Sequence, residues 1–152
     1  MDGVAAVAIA LGSNLGDREA TLRQAVAALA PHVGDIRVSS FHETAYVSDE
    51  EQPAVLNGAL TGNTTLEPHA LLDLLLAVER DFGRTRPYGG APRTLDLDLI
   101  LYGDRLIDEP GLVVPHPRFR ERLFVLLPLA EIAADWRDPG TGKTVGELLR
   151  QL

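Results

Sequence analysis

Asp96 and Asp98 stand two residues apart in the run Arg93-Thr94-Leu95-Asp96-Leu97-Asp98-Leu99-Ile100-Leu101-Tyr102. The strict alternation from Leu95 to Asp98 fits a β-strand, whose side chains repeat every second residue. Leu95, Leu97, Leu99 and Leu101 then share one face, and Asp96, Asp98, Ile100 and Tyr102 share the other. Carboxylates at that spacing sit roughly 6.5–7 Å apart along the strand. They suit one metal ion bridged by both, or two ions about 3.5–4 Å apart. The solvated face of a half-buried strand would place the same two residues there, but it leaves Ile100 and Tyr102 exposed beside them.

Cations flank this pair. Of 14 cationic residues only Lys143 is lysine, and arginines gather at 80, 84, 86 and 93 and again at 118, 120 and 122. Arginine is suited to bidentate contact with phosphate or carboxylate, although a solvated mixed-charge surface accounts for most such runs. His116 stands between Pro115 and Pro117, whose φ angles are fixed. Carboxylates are the hard oxygen ligands of Mg²⁺, which usually binds through one or two of them plus substrate phosphates. Metal with arginine is the chemistry of phosphoryl transfer. The residues alone point to a Mg²⁺-dependent enzyme acting on a polyphosphate.

The bulk properties narrow the field. A net charge of −8 argues against nucleic acid or an anionic membrane as a general partner. The absence of cysteine removes disulfides, thiolate zinc sites and cysteine nucleophiles, and suits a cytoplasmic protein. The apolar run from Val4 to Leu11 lacks the basic leader of a signal peptide, and no run approaches the ~18 apolar residues of a membrane span. Gly142-Lys143-Thr144 resembles the tail of a phosphate-binding P-loop, but Arg137 occupies the place of its first glycine and no strand precedes it. There is no G-x-S-x-G elbow. His32, His42, His69 and His116 show no metal-ligand spacing.

The elements that must position these groups follow in order. Val4 to Leu11 reads as a buried strand ending at Gly12-Ser13-Asn14. Asp17 is a helix N-cap, with Leu22, Val26 and Leu29 on one face and Pro31 and Gly34 stopping the helix. Arg37 to Val47 and Val55 to Thr65 read as two antiparallel strands joined by a polar loop. Glu67-Pro68 opens a second helix with Glu79 near its end. The loop from Gly83 to Pro92 holds three glycines and two prolines and delivers arginines to the Asp strand. Leu106 to Val114 is a connection with a short strand at each end. Phe124 to Ile132 is a helix in which Pro128 predicts a kink or restart, and Thr144 and Glu147 have capping-box spacing before a last helix. The order βαββα, loop, β and helices favours one α+β domain over 1–152: a ferredoxin-like antiparallel sheet with helices packed on it and a helical C-terminal addition.

Pro92-Arg93-Thr94-Leu95-Asp96-Leu97-Asp98 strongly resembles the signature of the 6-hydroxymethyl-7,8-dihydropterin pyrophosphokinases of folate biosynthesis. Leu11-Gly12-Ser13-Asn14-Leu15-Gly16, Ser39-Ser40-Phe41 with Thr44, Gln52-Pro53 with Leu56-Asn57, Val114-Pro115-His116-Pro117 and Arg122 to Leu129 agree in the family's order. The likeness spans residues 4 to about 132. It implies a ferredoxin-like α+β fold and transfer of the β,γ-pyrophosphoryl group of ATP to the pterin hydroxymethyl oxygen, leaving AMP. It implies two Mg²⁺ ions held by Asp96 and Asp98, and Arg84 and Arg93 on the transferring phosphates. ATP would meet Glu79, Arg86, His116 and Arg122. The pterin would meet Thr44, Asn57, Phe124 and Asp96, with Asn57 reading its amide-like edge and Phe124 stacking on one face. A monomer is expected.

The chain departs from the family pattern in places. Gly90 stands where a tryptophan often covers the other pterin face, and Tyr88 is the available replacement. Pro117 stands where a tyrosine often follows the histidine, and Ala45 where proline is frequent. A single in-line displacement is expected, with the 48–52 and 83–92 loops closing over the substrates. Only the first half of the Asp-strand face should open on the site, its second half lying under the C-terminal helices. Two other readings of the residues stay open: a Mg²⁺-dependent nucleotide hydrolase with water as acceptor, and a non-catalytic nucleotide-sensing module.

Overall fold

The computed structural model describes residues 3–14, 16–44, 54–83 and 95–152. The elements, in order, are β1 (Ala5–Ser13), α1 (Arg18–Leu29), β2 (Gly34–Val38), β3 (His42–Thr44), β4 (Val55–Thr64), α2 (Pro68–Gly83), β5 (Asp96–Tyr102), β6 (Ile107–Glu109), β7 (Leu112–Val114), a 3₁₀ turn (Phe119–Glu121), α3 (Leu123–Ala133) and α4 (Val145–Arg150).

The main sheet runs β2-β4-β1-β5, with β3 also paired to β4, and every pairing is antiparallel. The parallel strands β1 and β2 thus sit either side of β4, which is the split βαβ arrangement of a ferredoxin-like core. Side-chain alternation divides the sheet between two cores. Val7, Ile9 and Leu11 of β1 meet Leu22, Ala25 and Leu29 of α1 and Leu71, Leu75 and Val78 of α2. Ala8 and Ala10 face the other way, into Val125, Leu126 and Leu129 of α3 and Val145 and Leu148 of α4. The helices therefore cover both faces, the C-terminal addition supplying the second. The small residues Ala8, Ala10 and Ala59 let α3 lie close to the sheet.

Local signals explain the boundaries. Asp17 accepts a hydrogen bond from Ala20 N and caps α1. Pro68 occupies the first position of α2, where its missing N–H has no intrahelical partner to lose. Thr144 and Glu147 form the expected capping box. Pro110 and Gly111 turn the β6–β7 hairpin, with Gly111 at φ +81°.

Four expectations need correction. First, β1 runs on through Gly12 and Ser13. Second, the strand expected over 37–47 is two strands. Between them Phe41 sits where a Cβ on Gly58 would meet its ring at 2.7 Å, and the Ser39 hydroxyl accepts Ala59 N–H in place of a backbone partner. Residues 45–47 lie outside the described residues. Third, of the kink or restart expected at Pro128 the restart does not occur, since α3 runs through Pro128 as one helix. Fourth, the faces expected of β5 hold only as far as Leu99. Ala8 lies opposite Leu101 while Ile9 lies opposite Leu99, so Ile100 is an extra, bulged residue. Beyond it the faces exchange. Ile100 goes under the C-terminal helices as expected, but Leu101 joins it there. Tyr102 turns to the α1–α2 side, where its hydroxyl donates to Leu66 O at 2.6 Å.

Candidate active site

Asp96 and Asp98 project from the face of β5 that looks towards α3, Asp96 exposed and Asp98 half-buried. The register sets their neighbours. Asp96 lies opposite Gly12, Gly12 opposite Asn57, and Asn57 opposite His42, so one row crosses four strands. The next row places Asp98 beside Ala10 and Ala59. Gly12 and Ala10 leave the sheet nearly bare between the amide and the carboxylates. A Cβ on Gly12 would come within 3.3 Å of Asn57 Oδ1 and 3.5 Å of Val55 Cγ1, so glycine keeps this stretch of sheet open.

A cavity of about 550 Å³ stands on this floor, lined by Ala10, Gly12, Asn57, Asp96 and Asp98 together with Leu11, Thr44, Val55, Arg118, Arg122, Phe124 and Val125. At one end, Asn57 Nδ2 donates to Thr44 Oγ1 at 2.7 Å, which fixes the amide and leaves Oδ1 on the Gly12 side. Phe124, at the start of α3, is 38% exposed and supplies an aromatic face. The wall beside this ring is charged: Arg122 lies 5.5 Å from the Phe124 ring centroid, over its face. Arg118 joins Arg122 on the wall; its place in an arginine cluster was legible, its role in lining the cavity was not. Arg120, between them, turns away to the fully buried Asp138. Its Nε and Nη2 donate to the two carboxylate oxygens at 2.5 and 2.8 Å.

His116 borders the charged wall. Its backbone N–H donates to the carbonyl of the bulged Ile100 at 3.1 Å, tying the Pro-His-Pro turn to β5. Its Nδ1 accepts Arg118 N–H at 3.2 Å, so in the neutral ring Nε2 carries the proton as a donor. Burial pushes the His116 pKa below its ordinary value. Asp98 pulls it up, while Arg122 and Arg118 push it further down.

Glu79 does not line the cavity; its Oε2 accepts Leu97 N–H at 2.7 Å and so holds the start of β5. Thr44, Asn57, Asp96, Asp98, Arg122 and Phe124 are brought together, with His116 at their border. Arg84, Arg86 and Arg93 lie outside the described residues, as do Ala45, Tyr88, Gly90 and the loops expected to close over 48–52 and 84–92; Gly83, expected in the second loop, instead ends α2. Gly12 was readable as a turn residue and as part of the run shared with the family, with no role in the site; the signal that it belonged there was a glycine at the end of an otherwise apolar strand.

The donor set fits Mg²⁺. Two carboxylates adjoin on one wall, and no cluster of three His, Cys, Asp or Glu occurs among the described residues. Such a pair leaves several coordination positions for water and substrate oxygens, the usual arrangement for this ion.

The family model for 7,8-dihydro-6-hydroxymethylpterin-pyrophosphokinase matches residues 8–134. The chain belongs to this family. A pyrophosphokinase family is a family of diphosphotransferases, and relatives agree with the assignment. The chain is 52% identical over 126 residues to the 2-amino-4-hydroxy-6-hydroxymethyldihydropteridine pyrophosphokinase of Bacillus subtilis, covering 82% of this chain and 75% of that protein. The pyrophosphokinase of the same name from a Synechocystis species is 44% identical over 145 residues, covering 95% of this chain and 74% of that one. In fold, the chain resembles the crystal structure of wild-type Plasmodium falciparum HPPK-DHPS with a TM-score of 0.74 at 12% identity, across 97% of this chain and 44% of that one. No helix among the described residues is long and apolar enough to cross a membrane.

Proposed function

We propose that this chain, acting as one pyrophosphokinase domain, transfers the β,γ-pyrophosphoryl group of ATP to 6-hydroxymethyl-7,8-dihydropterin, yielding AMP and the pterin diphosphate. The observation that carries this reading is the row Asn57–Gly12–Asp96. Two inter-strand steps separate its ends by roughly 9.5 Å, a span suited to a bicyclic ring with its amide edge at Asn57 and its hydroxymethyl arm at Asp96. Gly12 supplies the clearance between them.

Asn57 presents its carbonyl to the ring's N–H donors, and Phe124 covers one face. This fixes the hydroxymethyl oxygen beside Asp96. Arg118 and Arg122 draw the triphosphate to their wall of the cavity, and His116 Nε2–H donates to it. In one in-line step the hydroxymethyl oxygen bonds to the β-phosphorus as the bond from that phosphorus to the α,β-bridging oxygen breaks. AMP leaves with the bridging oxygen, and the hydroxyl proton is released. Arg84 and Arg93 meet the charge that moves during transfer, Arg86 acts on the nucleotide side, and Glu79 serves the site by holding the start of β5 through the Leu97 N–H. Two Mg²⁺ ions held by Asp96 and Asp98 would neutralise phosphate charge and stabilise the attacking and leaving oxygens. Holding both substrates in attack geometry supplies much of the remaining acceleration.

The test is AMP formation from Mg-ATP with and without the hydroxymethyl pterin, repeated with excess EDTA. AMP should form only with pterin and divalent metal both present. Pterin-independent nucleotide hydrolysis would instead mark a hydrolase, and ATP binding without turnover a sensing module.

A further inference from the structure

Ser40, His42 and Glu131 form a cluster outside the cavity lining. Glu131 Oε1 accepts Ser40 N–H at 2.9 Å, and the Ser40 hydroxyl lies 2.8 and 2.7 Å from the two carboxylate oxygens. His42 Nε2 bonds to Glu131 Oε2, and Ser40 Oγ lies 3.2 Å from the same ring nitrogen. The composition resembles a hydrolytic triad, but the geometry excludes one. Serine and carboxylate meet the same imidazole nitrogen, so the ring cannot relay a proton from one to the other. Burial pushes the Glu131 carboxyl up, but hydrogen bonds from Ser40 and His42 hold it below its ordinary value, so it is an ionised acceptor.

Its position gives the cluster a purpose. His42 occupies the far end of the row that continues through Asn57 and Gly12 to Asp96. Thr44, two residues on, shares its face and takes the Asn57 amide. On α3, Glu131 follows Phe124 by seven residues, two helical turns along the same stripe. The cluster therefore joins the strand that carries the Thr44–Asn57 edge to the helix that carries Phe124.

We propose that Glu131, with His42 and Ser40, is a positioning clasp that sets the gap between Phe124 and the Thr44–Asn57 edge, and so governs affinity for the flat ring. This rests on the reading of that gap as the pterin slot. Loss of the clasp loosens one end of the cavity and leaves Arg118, Arg122 and Asp98 in place.

The experiment compares Glu131→Ala, His42→Phe, His42→Gln and wild type by pterin fluorescence titration and by steady-state kinetics in both substrates. Glu131→Ala and His42→Phe should weaken pterin binding by about tenfold, the scale of one lost charge-assisted hydrogen bond. KM for ATP and kcat at saturating pterin should stay within about twofold of wild type. His42→Gln restores an N–H near the place of Nε2 and should recover most of the affinity. Ser40→Ala, which leaves the His42–Glu131 pair in place, gives a smaller shift of the same kind and serves if Glu131→Ala does not fold. Unchanged pterin affinity in the folded variants, or KM values for both substrates rising together, overturns the clasp alone. Failure of the wild-type protein to bind pterin overturns the slot reading and the clasp with it.

Discussion

Asp138→Asn tests how the arginines of the cavity wall are held. Asp138 is fully buried and surrounded by donors: Arg120 Nε and Nη2, Gly140 N at 2.9 Å and Thr141 Oγ1 at 2.8 Å. A carboxylate accepts from all four. An asparagine of the same size offers one oxygen and one NH₂, so whichever way it turns, the NH₂ faces an Arg120 N–H together with either the Gly140 N–H or the Thr141 hydroxyl, of which only the hydroxyl can turn to accept. Losing the acceptor's charge and at least one Arg120 bond at a fully buried site, with Arg120 partly rehydrated because its side chain is 29% exposed, costs about 3 kcal/mol. For a chain of this size that is a fall in Tm of roughly 6–12 °C. Urea denaturation at pH 7 reads it directly. Burial pushes the Asp138 carboxyl up, yet the bonds from Arg120, Thr141 and Gly140 hold it below its ordinary value of 3.8. A carboxylate depressed in the folded state stabilises above its unfolded pKa and loses that contribution as pH falls through the folded value. The gap between wild type and variant should therefore be full at pH 7 and narrow below about pH 4. The variant should also raise KM for ATP more than KM for pterin, since Arg120 anchors the segment bearing Arg118 and Arg122. A stability gap under about 0.5 kcal/mol at pH 7, or one that widens below pH 4, would refute the account.

Other outcomes follow from the site. Asn57→Ala should raise KM for the pterin by roughly 10- to 100-fold with little change for ATP, because a fixed amide is lost from a buried edge; separate KM determinations check this. Asp96→Ala should abolish AMP formation while part of the pterin affinity survives, and wild-type turnover in that variant would sink the metal-holding role. For Arg84→Ala the loss should fall mainly on kcat, by about 100-fold, as expected for a group that meets charge in the transition state; rapid-quench measurement of AMP at saturating substrates reports it.

Much of the scaffold was legible because local chemistry agreed with the global fold. Asp17, Pro68 and the Thr144–Glu147 box mark helix starts by mechanisms that act within one turn. The alternation around Asp96 placed both carboxylates on one face of β5, and the structure has them so. What was not legible depends on partners distant in sequence. The bulge at Ile100 arises from the pairing of β5 with β1, and an apolar run of Leu99, Ile100 and Leu101 looks the same with or without it. The break between β2 and β3 reflects Phe41 lying against Gly58, a contact across strands. Asn57 gained its place from the row it shares with Gly12 and Asp96, which no spacing along the chain encodes. Arg118 and Arg120 are two residues apart and of one type, yet one lines the cavity and the other is bound to Asp138, because a tertiary partner decides between them.

The two bonds that hold β5 from outside the sheet have a second consequence. Among the described residues β5 is an edge strand, with β1 on one flank. A bare edge of apolar sequence is a template on which a foreign strand can grow, and the run from Leu97 to Tyr102 is of that kind. Glu79 occupies the Leu97 N–H, and His116 occupies the Ile100 carbonyl just where the bulge breaks the regular repeat. A strand approaching from solvent finds neither an even ladder nor both of these groups free. The same residues that fix the height of Asp96 and Asp98 in the cavity therefore guard the molecule against self-association, and substitutions at Glu79 should show as aggregation as well as lost turnover.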